Sequence, residues 1–374
     1  MSESLPTIPR LDYLDALRGF AALYVVVYHI SLMPKPALNL PEWARSFVNY
    51  GGSGVTLFFI ISGFSMCLSW KRHAAAASPV KSFYINRLAR IAPLFYFWLI
   101  LSIARDAAFK GAAGHHGAVE VGANALFLFN LYEPFQFGIV WASWTIGVEM
   151  LFYALFPFIK RAGFDTLAKT SLLLVLSMAV IALTRGFVED TGHLAQPFAR
   201  TWFDNVGFFF VLPIFLMGVV TYHLHELLLP KLAASGQWPT MLLLGTALLT
   251  LGLLVVYRPP GAFWYYVAAA GYALLLLGCA AWSRTRAIGR WASYLGRISY
   301  SLYLNHPSLV YALIPAYLFI YKIAPEPNSA FFSCVALTWA ILIPLSHLTF
   351  RFIESPLMKL GKPRRIGQLA SKTR

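Results

Sequence analysis

Charge is scarce in this sequence, acidic charge above all. Asp, Glu, Lys and Arg make up 12% of its 374 residues, and 15 acidic residues face 30 Lys and Arg. With 59% hydrophobic residues beside so little charge, a single soluble core of this length is excluded and a polytopic helical membrane protein is indicated. Cysteine is scarcer still. Cys67, Cys279 and Cys334 are odd in number, lack paired spacing and fall within apolar stretches, so neither a disulfide framework nor a metal site is expected. No small-residue cleavage site follows the first apolar run, and Asp12 and Asp15 do not suit a signal peptide's basic start, so that run is expected to stay in the mature protein. There is no repeat of fixed period and no pair of matching broken helices, which counts against many secondary-transporter plans.

What the sequence does have is apolar length. Ten stretches are apolar enough to span a bilayer, near 12–32, 52–70, 91–109, 139–159, 170–187, 205–222, 238–257, 262–283, 298–320 and 329–352. With a cytoplasmic N-terminus, 22 of the 30 Lys and Arg fall on the cytoplasmic side and eight fall outside. The expected fold is therefore all-α: a polytopic transmembrane helix bundle of about ten helices with both termini cytoplasmic, set in the plasma (bacterial inner) membrane. One membrane-embedded domain is expected over residues 1–374, with a basic cytoplasmic tail at 361–374 and no appended soluble domain. The net charge of +15 is mostly an inner-leaflet bias, and nucleic-acid binding is not expected. Within residues 112–140 the piece NALFLFNL is too short to span, and it is expected to be re-entrant or to lie at the outer surface.

Against this apolar background a few polar residues stand out, because such side chains are expensive inside a bilayer. Arg18 and His29 share the first span, and their eleven-residue gap sets them on one helical stripe about 16 Å apart. The ordinary alternative is a snorkelling Arg and a packed His. Glu149 lies near the middle of the fourth span and needs a partner, for which Arg18 or His29 is the natural candidate; a structural ion pair is the plainer reading. Arg87 and Arg90, three residues apart on one face, can grip phosphates bidentately or, on the plainer reading, anchor the helix to anionic lipid, whereas Lys71 and Arg72 look like lipid anchors. In GGSGVTLFFIISGF, Gly51 to Phe64, the glycines either expose backbone amides to a ligand or let helices approach closely, and Ser62 is a weak candidate nucleophile. Tyr300, Tyr303, Asn305 and His306 in the ninth span, with Glu354 near the end of the tenth, suggest a lined cavity, and Pro307 is expected to kink the helix after His306.

Six motifs in one order carry a resemblance. They are LDALRG with the Arg18-to-His29 spacing, the Gly54–Phe64 stretch, RLARIAP from Arg87 to Pro93, WTIGVEMLFY from Trp144 to Tyr153, LGRISYSLYLNH from Leu295 to His306, and FIESP from Phe352 to Pro356. Together they resemble the acyltransferase 3 family of integral membrane O-acyltransferases. The resemblance implies transfer of an acyl group, usually acetyl from acetyl-CoA, to a hydroxyl of a cell-surface or exported carbohydrate, with about ten spanning helices. It also implies that His29 is catalytic with Arg18 in its motif, that Arg87 and Arg90 handle the donor, and that Glu149 is a motif carboxylate.

On this reading Arg18, Arg87 and Arg90 hold acetyl-CoA, His29 supported by Glu149 is the general base, and no metal is needed. The expected partners are membrane lipids, a carbohydrate or lipid-linked glycan acceptor, and a separate extracytoplasmic transferase if the membrane domain does not acylate the acceptor itself. The rivals are acylation of a small secondary metabolite such as a macrolide, a proton-coupled transporter, and a non-catalytic scaffold that tolerates loss of His29.

Overall fold

The computed structural model describes residues 11–190, 192, 200–257, 263–283, 289–324 and 326–360, and every regular element among them is helical. The expected basic tail at 361–374 lies outside the described residues, as do Arg10, Arg258, Arg284 and Arg286 of the charge count. The longer helices are α1 (Asp12–Leu32), α3 (Gly54–Ala74), α4 (Pro79–Lys110), α6 (Trp144–Arg161), α7 (Leu167–Asp190), α8 (Phe208–Ala234), α9 (Trp238–Val256), α10 (Trp264–Trp282), α12 (Ser299–Ile323) and α13 (Pro327–Thr349). Shorter pieces are α2 (Glu42–Asn49), α5 (Ala118–Ala125), α11 (Arg290–Arg297) and α14 (Ser355–Leu360).

Among the described residues, eight helical stretches are long and apolar enough to cross a membrane. The other two expected spans are helical as well: they are α6 and α12, the helices that carry Glu149 and the Tyr300-to-His306 cluster. Leu183 on α7 and Leu249 on α9 are open to the surroundings, as lipid-facing side chains should be.

Helix α1 lies between two hydrophobic cores. Leu17, Ala21 and Val25 join one with residues of α3, α4, α6, α8 and α10, while Ala22, Val26 and Ile30 join another with residues of α12 and α13. A helix packed on both sides can keep Arg18 and His29 away from lipid. Two crossings bring backbones into contact. A Cβ on Gly63 of α3 would strike the Phe215 carbonyl of α8, and one on Gly218 of α8 would strike Ile60 of α3. Glycine at both positions lets the two helices close on each other, as small residues do in membrane bundles. Gly54 does the same for α1, since its Cβ would sit 2.8 Å from the Ala21 carbonyl.

Residues 112–140 fold back on the bundle. Phe127 packs against Phe95 of α4 with tilted rings whose centroids are 4.6 Å apart, and the Asn124 side chain accepts from the Ile139 amide at 3.0 Å. These contacts bring Phe137, Trp141 and Ala142 over one mouth of the bundle.

Candidate active site

Two cavities open along α1, one at the level of Arg18 and one at the level of His29. The first has about 80 Å³ of room, enough for a few water molecules. Arg18, Arg87, Arg90 and Glu149 line it, with Ser62, Ser65 and Tyr153 among the remaining wall residues. The i, i+3 spacing on α4 places both arginines on this wall, as the sequence predicts. Arg87 is 9% exposed, donates to Ser69 Oγ at 2.5 Å and lies over the rings of Phe83 and Tyr153 at 5.6 and 5.3 Å. Its Nε is buried without a hydrogen-bond partner, a cost that an anion oxygen in the cavity would remove. Arg18 pairs with Asp15 at 3.3 Å and donates to Ser65 Oγ at 2.6 Å, so it is anchored in the protein rather than snorkelling.

Glu149 sits among these arginines and apart from His29. Its Oε1 accepts from Ser62 Oγ at 2.6 Å and from Tyr153 OH at 2.5 Å. The expected support of His29 by Glu149 is therefore not what the structure contains. Glu149 lies one turn into α6, at the depth of α1's Arg18 end, and the i, i+4 residue Tyr153 takes up its carboxylate. The same contacts tie Ser62 to a carboxylate and a phenol, with no His among its hydrogen-bond partners in the described residues, against its reading as a nucleophile.

The second cavity is larger, about 420 Å³, and among the described residues no Asp, Glu, Lys or Arg lines it. His29 is on its wall with Trp141, Trp144, Trp264, Asn49 and Asn205. Arg105 lies 4.6 Å above the Trp141 ring and is itself held by Asp106 at 2.8 Å. The cavities share Val55, Phe59 and Tyr303. Tyr303 OH is fixed between Thr145 Oγ1 at 3.0 Å and the Ala142 carbonyl at 3.1 Å, so this partition is anchored.

His29 Nδ1 lies 2.9 Å from the Val25 carbonyl and 3.3 Å from Nε2 of His306, which is fully buried on α12. The other flagged residues of α12 split between roles. Tyr300 lines the charged cavity and donates to the Ile91 carbonyl at 2.7 Å, whereas Asn305 binds Trp98, Ser346 and Thr349 inside the bundle. Glu354 is buried against Ser301. Lys71 makes an exposed ion pair with Glu226, which agrees with a surface role. Among the described residues no group of three metal-ligating side chains occurs.

Sequence reasoning missed Tyr153, Ser65 and the aromatic wall of the larger cavity. The signal for Tyr153 was its i, i+4 spacing from Glu149. Trp141 and Trp264 lie near span ends, where aromatic residues ordinarily read as an interfacial belt, so nothing in the sequence marked them as cavity walls.

A family model described as an acyltransferase domain matches residues 11–347. A protein named "Putative O-acetyltransferase" from Staphylococcus aureus (strain COL) is 23% identical over 374 residues, covering 93% of this chain and 57% of its own length. Exopolysaccharide production protein ExoZ of Rhizobium meliloti is 28% identical over 326 residues, 84% of this chain and 92% of its own. O-acetyltransferase OatA of Staphylococcus aureus is 24% identical over 427 residues, 97% of this chain and 60% of its own. The chain thus spans 57% of the length of the staphylococcal relative from strain COL. No solved structure matches it.

Proposed function

The chain belongs to the acyltransferase 3 family, and on that premise we propose that it moves an acetyl group from acetyl-CoA to a hydroxyl of a cell-surface or exported carbohydrate. The observation that carries this reading is the pair of unlike cavities meeting at Val55, Phe59 and Tyr303. Three guanidinium groups against one carboxylate suit the phosphates of a coenzyme A thioester, and the unpartnered Nε of Arg87 supports an anion there. The small volume suits the slender pantetheine arm and leaves the bulky nucleotide at the mouth. The uncharged cavity, with indole faces and two amide side chains, suits a neutral polyhydroxylated acceptor.

In this reading the thioester reaches the shared wall from the arginine side and the acceptor hydroxyl lies at His29. His29 Nε2 takes the hydroxyl proton while the alkoxide oxygen attacks the thioester carbon. The C–S bond breaks, the imidazolium returns its proton to the thiolate, and ester and free coenzyme A result. Glu149 holds Tyr153 beneath Arg87 and serves the donor side, so it is a positioning residue here. With the basic residues inside, the arginine cavity faces the cytoplasm of the bacterial inner membrane and the aromatic cavity faces outward, where a lipid-linked glycan or a separate extracytoplasmic transferase would receive the acetyl group.

The test is purified protein in lipid nanodiscs given acetyl-labelled coenzyme A and the exported polysaccharide. Label appearing on the polysaccharide with release of free coenzyme A supports the proposal. Proton-coupled uptake with no acyl turnover would replace it with the transporter reading.

A further inference from the structure

Pro307 has no backbone N–H, so in α12 the carbonyl four residues earlier, that of Tyr303, loses its usual helix donor. The side chain of His306 fills that position: its Nδ1 lies 2.5 Å from the Tyr303 oxygen. A carbonyl only accepts, so the His306 proton resides on Nδ1, and Nε2 offers a lone pair. That lone pair faces His29 Nδ1 at 3.3 Å. His29 Nδ1 lies in turn 2.9 Å from the Val25 carbonyl, which also only accepts. Its proton is therefore on Nδ1, shared between Val25 O and His306 Nε2. Both hydrogen bonds of His29 use Nδ1, which leaves Nε2 basic on a side chain that lines the aromatic cavity. The rings meet edge to face, with centroids 4.8 Å apart.

We infer that His306 is a positioning residue for the reaction: pinned by the carbonyl that Pro307 frees, it accepts from His29 Nδ1 and so aims the His29 Nε2 lone pair at the acceptor hydroxyl. This rests on the reading of His29 as the base. When His29 takes the hydroxyl proton, its Nδ1–H becomes a stronger donor, and the neutral Nε2 of His306 is in place to receive that bond. The role is the one a carboxylate plays toward the base of a Ser-His-Asp triad, filled here by an uncharged acceptor.

Three substitutions separate this from packing. His306→Asn keeps a donor near the Tyr303 carbonyl but cannot reach His29. His306→Gln can place an amide oxygen near the original Nε2. His306→Ala removes both. The expected result is a fall in kcat of about 10- to 100-fold for Asn and Ala, with the KM for acetyl-CoA within about twofold of the original and substantial recovery by Gln. Equal losses in Asn and Gln, or unchanged kcat in Asn, would overturn the inference. In the unsubstituted protein, ¹⁵N spectra of labelled histidines should show both rings protonated at Nδ1 and bare at Nε2; a His29 proton on Nε2 would sink the inference without any variant. His29→Ala is the control that keeps the two readings apart. An active His29→Ala protein refutes His29 as the base, whereas an inactive one beside a fully active His306→Asn refutes only the positioning role.

Discussion

The two cavities along α1 differ in charge, in size and in what they could hold. The one at Arg18 is narrow and carries three arginines and a glutamate; the one at His29 is about five times as roomy and, among the described residues, has no Asp, Glu, Lys or Arg on its wall. One helix feeds both because eleven residues keep Arg18 and His29 on the same stripe while separating them in depth. The difference teaches that the polar residues of this bundle are not one catalytic cluster. They line two separate cavities that share Val55, Phe59 and Tyr303, and on the proposed function one would take an anion and the other a neutral molecule.

The largest expected effect is on the reactive side. His29→Ala should lower kcat by about 10²- to 10⁴-fold, the usual contribution of a general base, with acetyl-CoA affinity unchanged; steady-state rates and equilibrium binding on one preparation check both halves. Next comes the donor side. Arg87→Ala with Arg90→Ala should raise the KM for acetyl-CoA by about 10²-fold or more, since each lost charge-assisted bond is worth about 1.5–3 kcal/mol, while the KM for the acceptor stays constant. Arg→Lys at both positions should recover little, because lysine keeps the charge and loses the fork.

Glu149→Gln should lower kcat/KM for acetyl-CoA by about tenfold, because it weakens bonds to Ser62 and Tyr153 that together order the ring beneath Arg87. An effect confined to the acceptor KM would move Glu149 back to the His29 side. On the aromatic wall, Arg105→Ala should raise the acceptor KM by only about threefold, the scale of a partly exposed cation–π contact with Trp141. Lys71→Ala should change nothing measurable, as an exposed ion pair seldom does.

Much of this was legible in the sequence because membrane folding is dominated by length and polarity. Each of the ten expected spans is a helix, yet α6 and α12 fall outside the eight that pass on length and apolarity. They fall short for mixed reasons: α6 carries the cavity residue Glu149 but also Lys160 and Arg161 in its last turn, and α12 carries Asn305 and His306, which bond within the bundle. The grouping of Arg87 with Arg90 follows from helical spacing alone and appears as expected. What could not be read was which turn of one helix faces which turn of another. Glu149 near the middle of a span was compatible with either end of α1, and packing set it on the wall of the cavity that Arg18 lines. His29 and His306 are 277 residues apart, and only the docking of α12 against α1 brings their rings together.

The central claim is that binding the donor and activating the acceptor belong to different cavities. Equilibrium binding of labelled acetyl-CoA to purified protein in nanodiscs, compared among the original chain, His29→Ala and the double variant Arg87→Ala, Arg90→Ala, tests it most directly. The His29 variant should bind like the original, and the arginine variant about 10²-fold more weakly or worse. Equal weakening in both variants, or full binding without the arginines, would contradict it.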